Sequence, residues 1–323
     1  MKTPLKLGGI ILGLTAAVSL MLLAFLSPLM NSGPEDIPVA VTAPDPVVAQ
    51  LSENFDVTTY DNPSDARDAV LDRDAVGAVT VTREGATVYT ASGAGQPYTQ
   101  VLTGVAERMD ATVEDVAPTT PDDPNAGGLS ALALPLAFGG MVSAAVLSMT
   151  MKKRYGLRII GSLVFSVLAG LAVGAILQFG FGTFDGNYWE TAGVLALGIA
   201  GTSLFVLGLE SLIGSPGLGI GAVLTLFVSN PLSGIATGWQ WLPSPWGAIG
   251  QYLPIGAAGN ATRSVAFFDG AGIAHSVWVL LAWVVIGLAM VGVASVRYRR
   301  FTSRLAEQAE QAEQAGQAHP VEA

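Results

Sequence analysis

Few residues of this 323-residue chain have a type and spacing that could do chemistry. It carries no cysteine and two histidines, His275 and His319. That leaves no disulfide framework, thiolate nucleophile, iron–sulfur cluster or Cys-ligated zinc, and too few histidines for a histidine-based metal centre. His275 borders an apolar run and His319 sits in a polar tail, so neither completes a Ser/His/Asp set. The four lysines are Lys2, Lys6, Lys152 and Lys153, and none follows the glycines of a phosphate loop. Enzymatic catalysis, a bound cofactor and a metal are therefore not expected, and the net charge of −10 argues against nucleic-acid binding.

What remains are ionisable or helix-breaking residues embedded in apolar sequence. Glu210 is the one acidic residue well inside an apolar run, and an ionisable group at membrane depth is a functional candidate by default. It stands three residues before the end of that run at Ile213, so a cavity or coupling role and a simple anchor are both open. Arg263 and Asp269 flank Ser264–Phe268 before the last run. They read either as a charge-held gate, or as a headgroup anchor at Arg263 and a turn at Asp269-Gly270. Asn230 and Pro231 complete the set of translocation or gate candidates.

These residues need elements to position them, and the composition says what kind. With 51% hydrophobic and 12% charged residues, the chain is far from the roughly 25% charged of a soluble domain. No Asp, Glu, Lys or Arg occurs from Ser211 to Thr262. Crossing a bilayer takes about 20 apolar residues. Six runs qualify: Leu7–Met30, Leu129–Met151, Leu157–Phe181, Thr191–Ile213, roughly Leu218–Thr237, and Ile273–Val296. The first lacks a small-x-small cleavage site and is read as a retained anchor. Ten of the fifteen basic residues, including Lys152, Lys153, Arg154, Arg158 and Arg297–Arg300, fall on one side of a six-span chain. That side is expected to be cytoplasmic, with both termini inside a bacterial cell membrane.

The other side receives Asn31–Gly128, with seventeen acidic residues against four arginines. Apolar stretches alternating with turn signals predict a small α/β domain of order βαβαββα, ending in a helix over 97–109 and a stiff acidic linker over 118–125. The expected organisation is thus an N-terminal helix over 1–30, this extracytoplasmic domain over 31–128, a five-helix membrane domain over 129–300, and a polar, frayed tail over 301–323. Within the membrane domain, Trp239, Trp241, Trp246 and Tyr252 alternate with Pro243, Pro245 and Pro254, predicting short interfacial helices over 238–272. Glycines at helical spacing, such as Gly170 and Gly174 or Gly198 and Gly201, predict close helix packing or a dimer face.

Three stretches carry a resemblance: Pro34–Val41 after the first span, Ala66–Val79, and Leu242-Pro243 through Leu253-Pro254 to Arg263. Together they resemble the ABC-2-type membrane permease superfamily, in its branch with a domain inserted after the first span, which includes the phage-infection-protein (Pip/YhgE) relatives and short actinobacterial permease-like proteins. The resemblance implies a homodimeric or heterodimeric permease subunit that exports a lipophilic or envelope-related compound, driven by a separate ATPase. The loop between the second and third spans is short here. Coupling to such an ATPase would then fall on Lys152, Lys153, Arg154, Tyr155 and Arg158. The alternative reading is a membrane receptor or assembly scaffold acting through its acidic domain.

Overall fold

The structure is a computed structural model describing residues 2–34 and 36–317; Met1, Glu35 and residues 318–323, His319 among them, lie outside the described residues. It is an α-helical bundle carrying one small mixed sheet. Among the described residues, five helices are long and apolar enough to cross a membrane. They are α1 (Lys2–Asn31), α5–α6 (Gly127–Ala131 and Ala133–Thr150), α7 (Tyr155–Ala175, continued by a π-helical turn at Ile176–Gly180), α8 (Tyr188–Ile213) and α12 (Ile273–Gln317).

Between α1 and α5 lies the α/β domain: β1 (Pro38–Thr42), α2 (Asp45–Leu51), β2 (Asp56–Thr59), α3 (Pro63–Leu71), β3 (Gly77–Val81), β4 (Ala86–Thr90), α4 (Gln96–Met109) and β5 (Thr112–Asp115). The sheet order is β2-β1-β3-β4-β5, parallel except for the β3–β4 hairpin. Side chains alternate across a strand. Val39, Val41, Val79 and Val88 therefore meet Leu51 of α2 and Leu102 and Val105 of α4 on one face. Ala40 and Ala78 meet Ala66, Ala69 and Val70 of α3 on the other, where Phe268 from the bundle joins the same core. β5 departs from the expected order. All four of its residues are exposed, so no apolar alternation marks it. The left-handed cap at Asp110 (φ 51°) turns the chain back to pair β5 along β4.

In the bundle α8 is central. Of its most apolar stretch 78% is buried, against 22% for α7 and 0% for α1. Small residues make this possible. A Cβ on Gly170 of α7 would collide with the Ala192 and Ala196 backbone, and one on Gly208 with Met290 of α12.

Three expectations need correction. The fifth run does not span 218–237: its helix is α9 (Ser215–Ala222) running into a π-helical segment, Val223–Ser229, and stops before Pro231, whose missing N–H cannot continue the ladder. Fifteen residues reach roughly 22 Å, short of a ~30 Å hydrocarbon core. Residues 238–272 do not all lie at a surface. The short turns Trp239–Trp241 and α10 (Trp246–Gly250) do, but α11 (Pro254–Phe267) is buried between α8 and α12, with Ala258 against Gly198. Gly198 is ten residues into α8, roughly 15 Å below its start. The tail is not frayed over its described length: α12 continues unbroken to Gln317. Polarity masked this, because Arg, Ala, Glu and Gln are strong helix formers and no proline intervenes.

Candidate functional site

α7 runs antiparallel to α8, while α12 runs parallel to α8, with Leu280 beside Gly201 and Met290 beside Gly208, so the basic clusters at Lys152–Arg158 and Arg297–Arg304 lie at the end of the bundle opposite the α/β domain. Sites of interest occur at both ends and between them.

At the domain end the α/β domain and α11 are joined by two arginines pointing in opposite directions. Arg263 of α11 is buried and reaches up: Nη1 donates to the carbonyls of Gly93 (2.7 Å) and Ala94 (2.6 Å), and Nη2 to that of Ile235 (2.9 Å). Arg73 of the α/β domain reaches down: Nη2 donates to Asn260 Oδ1 (2.6 Å), and Nη1 to the Asn260 carbonyl (3.2 Å) and to Ser264 Oγ. Its guanidinium also stacks over Phe268, 5.1 Å from the ring centre. The conformation that aims it is a left-handed residue just past α3 (φ 66°), uncommon for a residue other than glycine.

Neither arginine forms an ion pair with a carboxylate among the described residues. Burial, and then the Arg263 charge, pull the Arg73 pKa from 12.5 down to about 9, which still leaves it protonated at neutral pH. Two positive charges are thus held by neutral groups: backbone and amide carbonyls, the Ser264 hydroxyl and the Phe268 ring. Tyr98 of α4 adds a third link: its hydroxyl donates to Gln240 Oε1 (3.3 Å) and accepts from the Trp241 N–H (3.0 Å), with the two rings edge to face at 5.7 Å. The contact is close enough to demand glycine. Gly95 (φ 151°) has no room for a Cβ beside the Thr237 carbonyl, nor Gly238 (φ 91°) beside the Tyr98 ring.

Midway down the bundle, Ser143 Oγ and Ser162 Oγ both meet Ser203 Oγ, at 2.7 Å and 2.8 Å, tying α6 and α7 to α8. At the basic end Glu210 is neither a free cavity group nor a surface anchor. Arg158 Nη1 donates to its Oε2 at 2.7 Å, while Nε and Nη2 donate to the carbonyls of Met151 and Ser148, both at 2.9 Å. With 5% and 17% of the two side chains exposed, the pair is nearly desolvated. Arg158 therefore faces inward rather than onto the surface expected to be exposed. Lys152, Lys153 and Arg154 are exposed. Tyr155 lies between, edge to face with Tyr298 of α12 at 6.2 Å and beneath the Arg158 guanidinium at 5.5 Å, with Lys153 Nζ 4.9 Å over Tyr298.

The remaining expected residues separate. Arg263 is buried, so it is not a headgroup anchor. Asp269 is exposed, forms no ion pair with it, and begins a turn with Gly270 in which both have positive φ, 49° and 84°. Asn230 caps the π-helical segment. Pro231 lines an apolar cleft of about 390 Å³ between that segment and the C-terminal half of α1, bounded also by Leu23, Ala24, Phe227 and Trp246. Asn31 and Pro243 also border a polar groove of about 980 Å³ beside the α/β domain, walled by Trp239, Trp241, Asp36, Asp56, Asp74 and Arg73.

Sequence reasoning missed Arg73, Tyr98 and Asn260. Asp72-Arg73-Asp74 reads as a solvated charge run, because its partner is 187 residues away. Asn260, an amide within a Gly/Ala-rich stretch lacking charge, was the available signal. Compared with known proteins, the chain matches no family model, and no curated protein and no solved structure is significantly similar to it.

Proposed function

We propose that this chain is the permease subunit of an ABC-2-type exporter, a homodimer or heterodimer in the cell membrane that moves a lipophilic or envelope-related compound outward under a separate ATPase. In this reading five full-length spans and the shorter Ser215–Ser229 segment, which returns the chain toward the domain end, leave the basic end and both termini facing the cytoplasm and the α/β domain extracytoplasmic. The observation that carries it is the apolar cleft between α1 and Val223–Ser229, which shares Asn31 and Pro243 with the polar groove beside the α/β domain. An apolar molecule arriving from the bilayer has a path there from hydrocarbon to headgroup level. Glu210 is held by Arg158 and is not free to shuttle protons, which favours an ATP-driven over a proton-driven cycle.

A scaffold or receptor role draws support from a different observation, the two-arginine junction that fixes the α/β domain to α11. Affinity purification of the full chain from its native membrane separates the two readings. Copurification of a P-loop ATPase, with ATP-dependent release of a lipophilic compound from inside-out vesicles into their lumen, is the expected result. Recovery of envelope proteins without an ATPase would replace the exporter with the scaffold.

A further inference from the structure

We infer that the joined cleft and groove hold one bilayer amphiphile with an ammonium headgroup, its tail between α1 and the Val223–Ser229 segment and its headgroup beside the α/β domain. This names the substrate class of the proposed exporter and rests on that reading for its transport role, but not for binding.

The tail follows from the cleft. Its walls include Leu23, Ala24, Phe227, Val228 and Leu232, and one wall belongs to α1, whose apolar stretch is otherwise unburied. Its volume of about 390 Å³ and the groove's 980 Å³ fall in the range of small-molecule sites, about 300–1,000 Å³. Asn31 and Pro243 border both, so the two cavities adjoin and one amphiphile can reach both.

The headgroup follows from charge. Three carboxylates (Asp36, Asp56, Asp74) face one guanidinium, a balance of 1 − 3 = −2. That guanidinium, on Arg73, already has both terminal nitrogens committed to Asn260 and Ser264 and offers little to a phosphate. The groove also presents the half-buried indoles of Trp239 and Trp241. Indole faces among carboxylates are how proteins hold alkylammonium ions, through cation–π attraction plus charge. A net anionic headgroup would meet repulsion, and one without a cationic group would gain nothing from the three aspartates.

Native mass spectrometry of the full chain, released from neutral maltoside micelles without any ATPase, provides the test. The probes are phosphatidylethanolamine and phosphatidylglycerol with identical chains, added in equal amounts. The expected result is retention of one phosphatidylethanolamine, favoured at least about fivefold. The triple variant Asp36→Asn, Asp56→Asn, Asp74→Asn should abolish the preference, and Ala24→Trp, which fills the cleft, should lower retention of both lipids. Equal retention, or preference for phosphatidylglycerol, in folded wild-type protein would overturn the ammonium assignment. Unchanged retention in Ala24→Trp would overturn the tail site. Selective binding together with no export in vesicles would leave this inference standing and remove only the exporter.

Discussion

Arg263 and Gly93, 170 residues apart in sequence, are joined by a 2.7 Å hydrogen bond that runs from a helix buried in the apolar bundle to a carbonyl of the α/β domain. The guanidinium serves three carbonyls at once, a task its planar fork of donors suits and an ammonium does not. Replacing Arg263 by Ala orphans those carbonyls at about 1–3 kcal/mol each if water cannot reach them. Arg263→Ala should therefore release the domain from α11, seen as new protease cleavage in the linker around Pro118–Asn125 and a lower midpoint of thermal unfolding in detergent. Arg263→Lys should recover part of the loss. Wild-type protease resistance in the Ala variant would mean the junction holds without this residue.

Tyr98 makes the same junction sensitive to pH. Burial raises its phenol pKa above the ordinary 10.0, outweighing the pull of Arg263 in the opposite direction. A raised folded pKa means that the unfolded chain releases the proton first. The stability due to Tyr98 is then fully present below pH 10 and is lost as pH rises beyond it. Tyr98→Phe should cost about 1 kcal/mol at pH 7 for the lost hydrogen bonds, and the gap to wild type should narrow as pH rises through about 10. Chemical denaturation of both proteins between pH 7 and 11 measures this. A gap that stays constant would show that Tyr98 ionises as freely in the folded chain as in the unfolded one.

How much of this could be read from the sequence depended on distance. The α/β domain came through because Val39, Val41 and Val79 alternate with smaller residues within single strands, a local signal; β5 did not, because an exposed edge strand has no apolar face to betray it. Glu210 was visible as an acid in an apolar run, but its neutralisation by Arg158 was not, since 52 residues separate them and Arg158 sits in a basic cluster that reads as cytoplasmic surface. The Trp/Pro stretch announced irregular structure and hid α11, whose Gly/Ala-rich sequence has too little hydropathy to look like a buried helix. The cleft depends on where α1 lies, which no spacing within one segment can encode.

The Arg158–Glu210 pair lends itself to a double-mutant cycle. Breaking a buried pair from one side leaves an uncompensated charge, at about 3–5 kcal/mol, whereas replacing both partners by apolar residues of similar size is often neutral. Glu210→Met should destabilise the bundle strongly, and the double variant Arg158→Met, Glu210→Met should return toward wild type. The recovery should be incomplete, because Arg158 also serves the Met151 and Ser148 carbonyls. Unfolding midpoints in mixed micelles provide the readout, and strictly additive losses would remove the coupling.

Asp123 holds the joint between the α/β domain and the bundle. Its carboxylate accepts from the N–H groups of Gly127 (2.7 Å) and Gly128 (2.8 Å) at the start of α5, while Thr120 Oγ1 donates to the Gly182 carbonyl (2.6 Å). A carboxylate at a helix start is worth about 0.5–2 kcal/mol as a cap. Asp123→Ala should lose that amount in an unfolding measurement and raise hydrogen exchange at Gly127 and Gly128. Asp123→Asn should retain about half of it, because its single amide oxygen can accept only one of the two bonds. Equal losses in the two variants would show that net charge alone, rather than acceptance of those two bonds, is what the joint requires.

At the basic end, the structure changes which residues a partner ATPase could touch. Tyr155 packs between Tyr298 and the Arg158 guanidinium, so Tyr155→Ala would disturb the Arg158–Glu210 pair and confuse docking with stability. Lys152 and Arg154 have no such duty: both are exposed, and no ion pair among the described residues involves either. α12 extends past Arg297 to Gln317, about twenty further residues or roughly 30 Å of exposed helix, which enlarges a docking surface that the short loop alone would leave near the weak end for specific interfaces. If the exporter reading holds, Lys152→Ala with Arg154→Ala should weaken ATPase copurification while leaving membrane level and thermal stability at wild type. Truncation after Arg300 should weaken it further. Two alanines remove fewer positive charges than a reversal to Glu would reverse, and Lys153, Arg158 and Arg297–Arg300 remain to hold the orientation. Full copurification and full export in the combined variant would place the ATPase elsewhere or remove it, and the two-arginine junction at the opposite end would then stand as the chain's main functional feature.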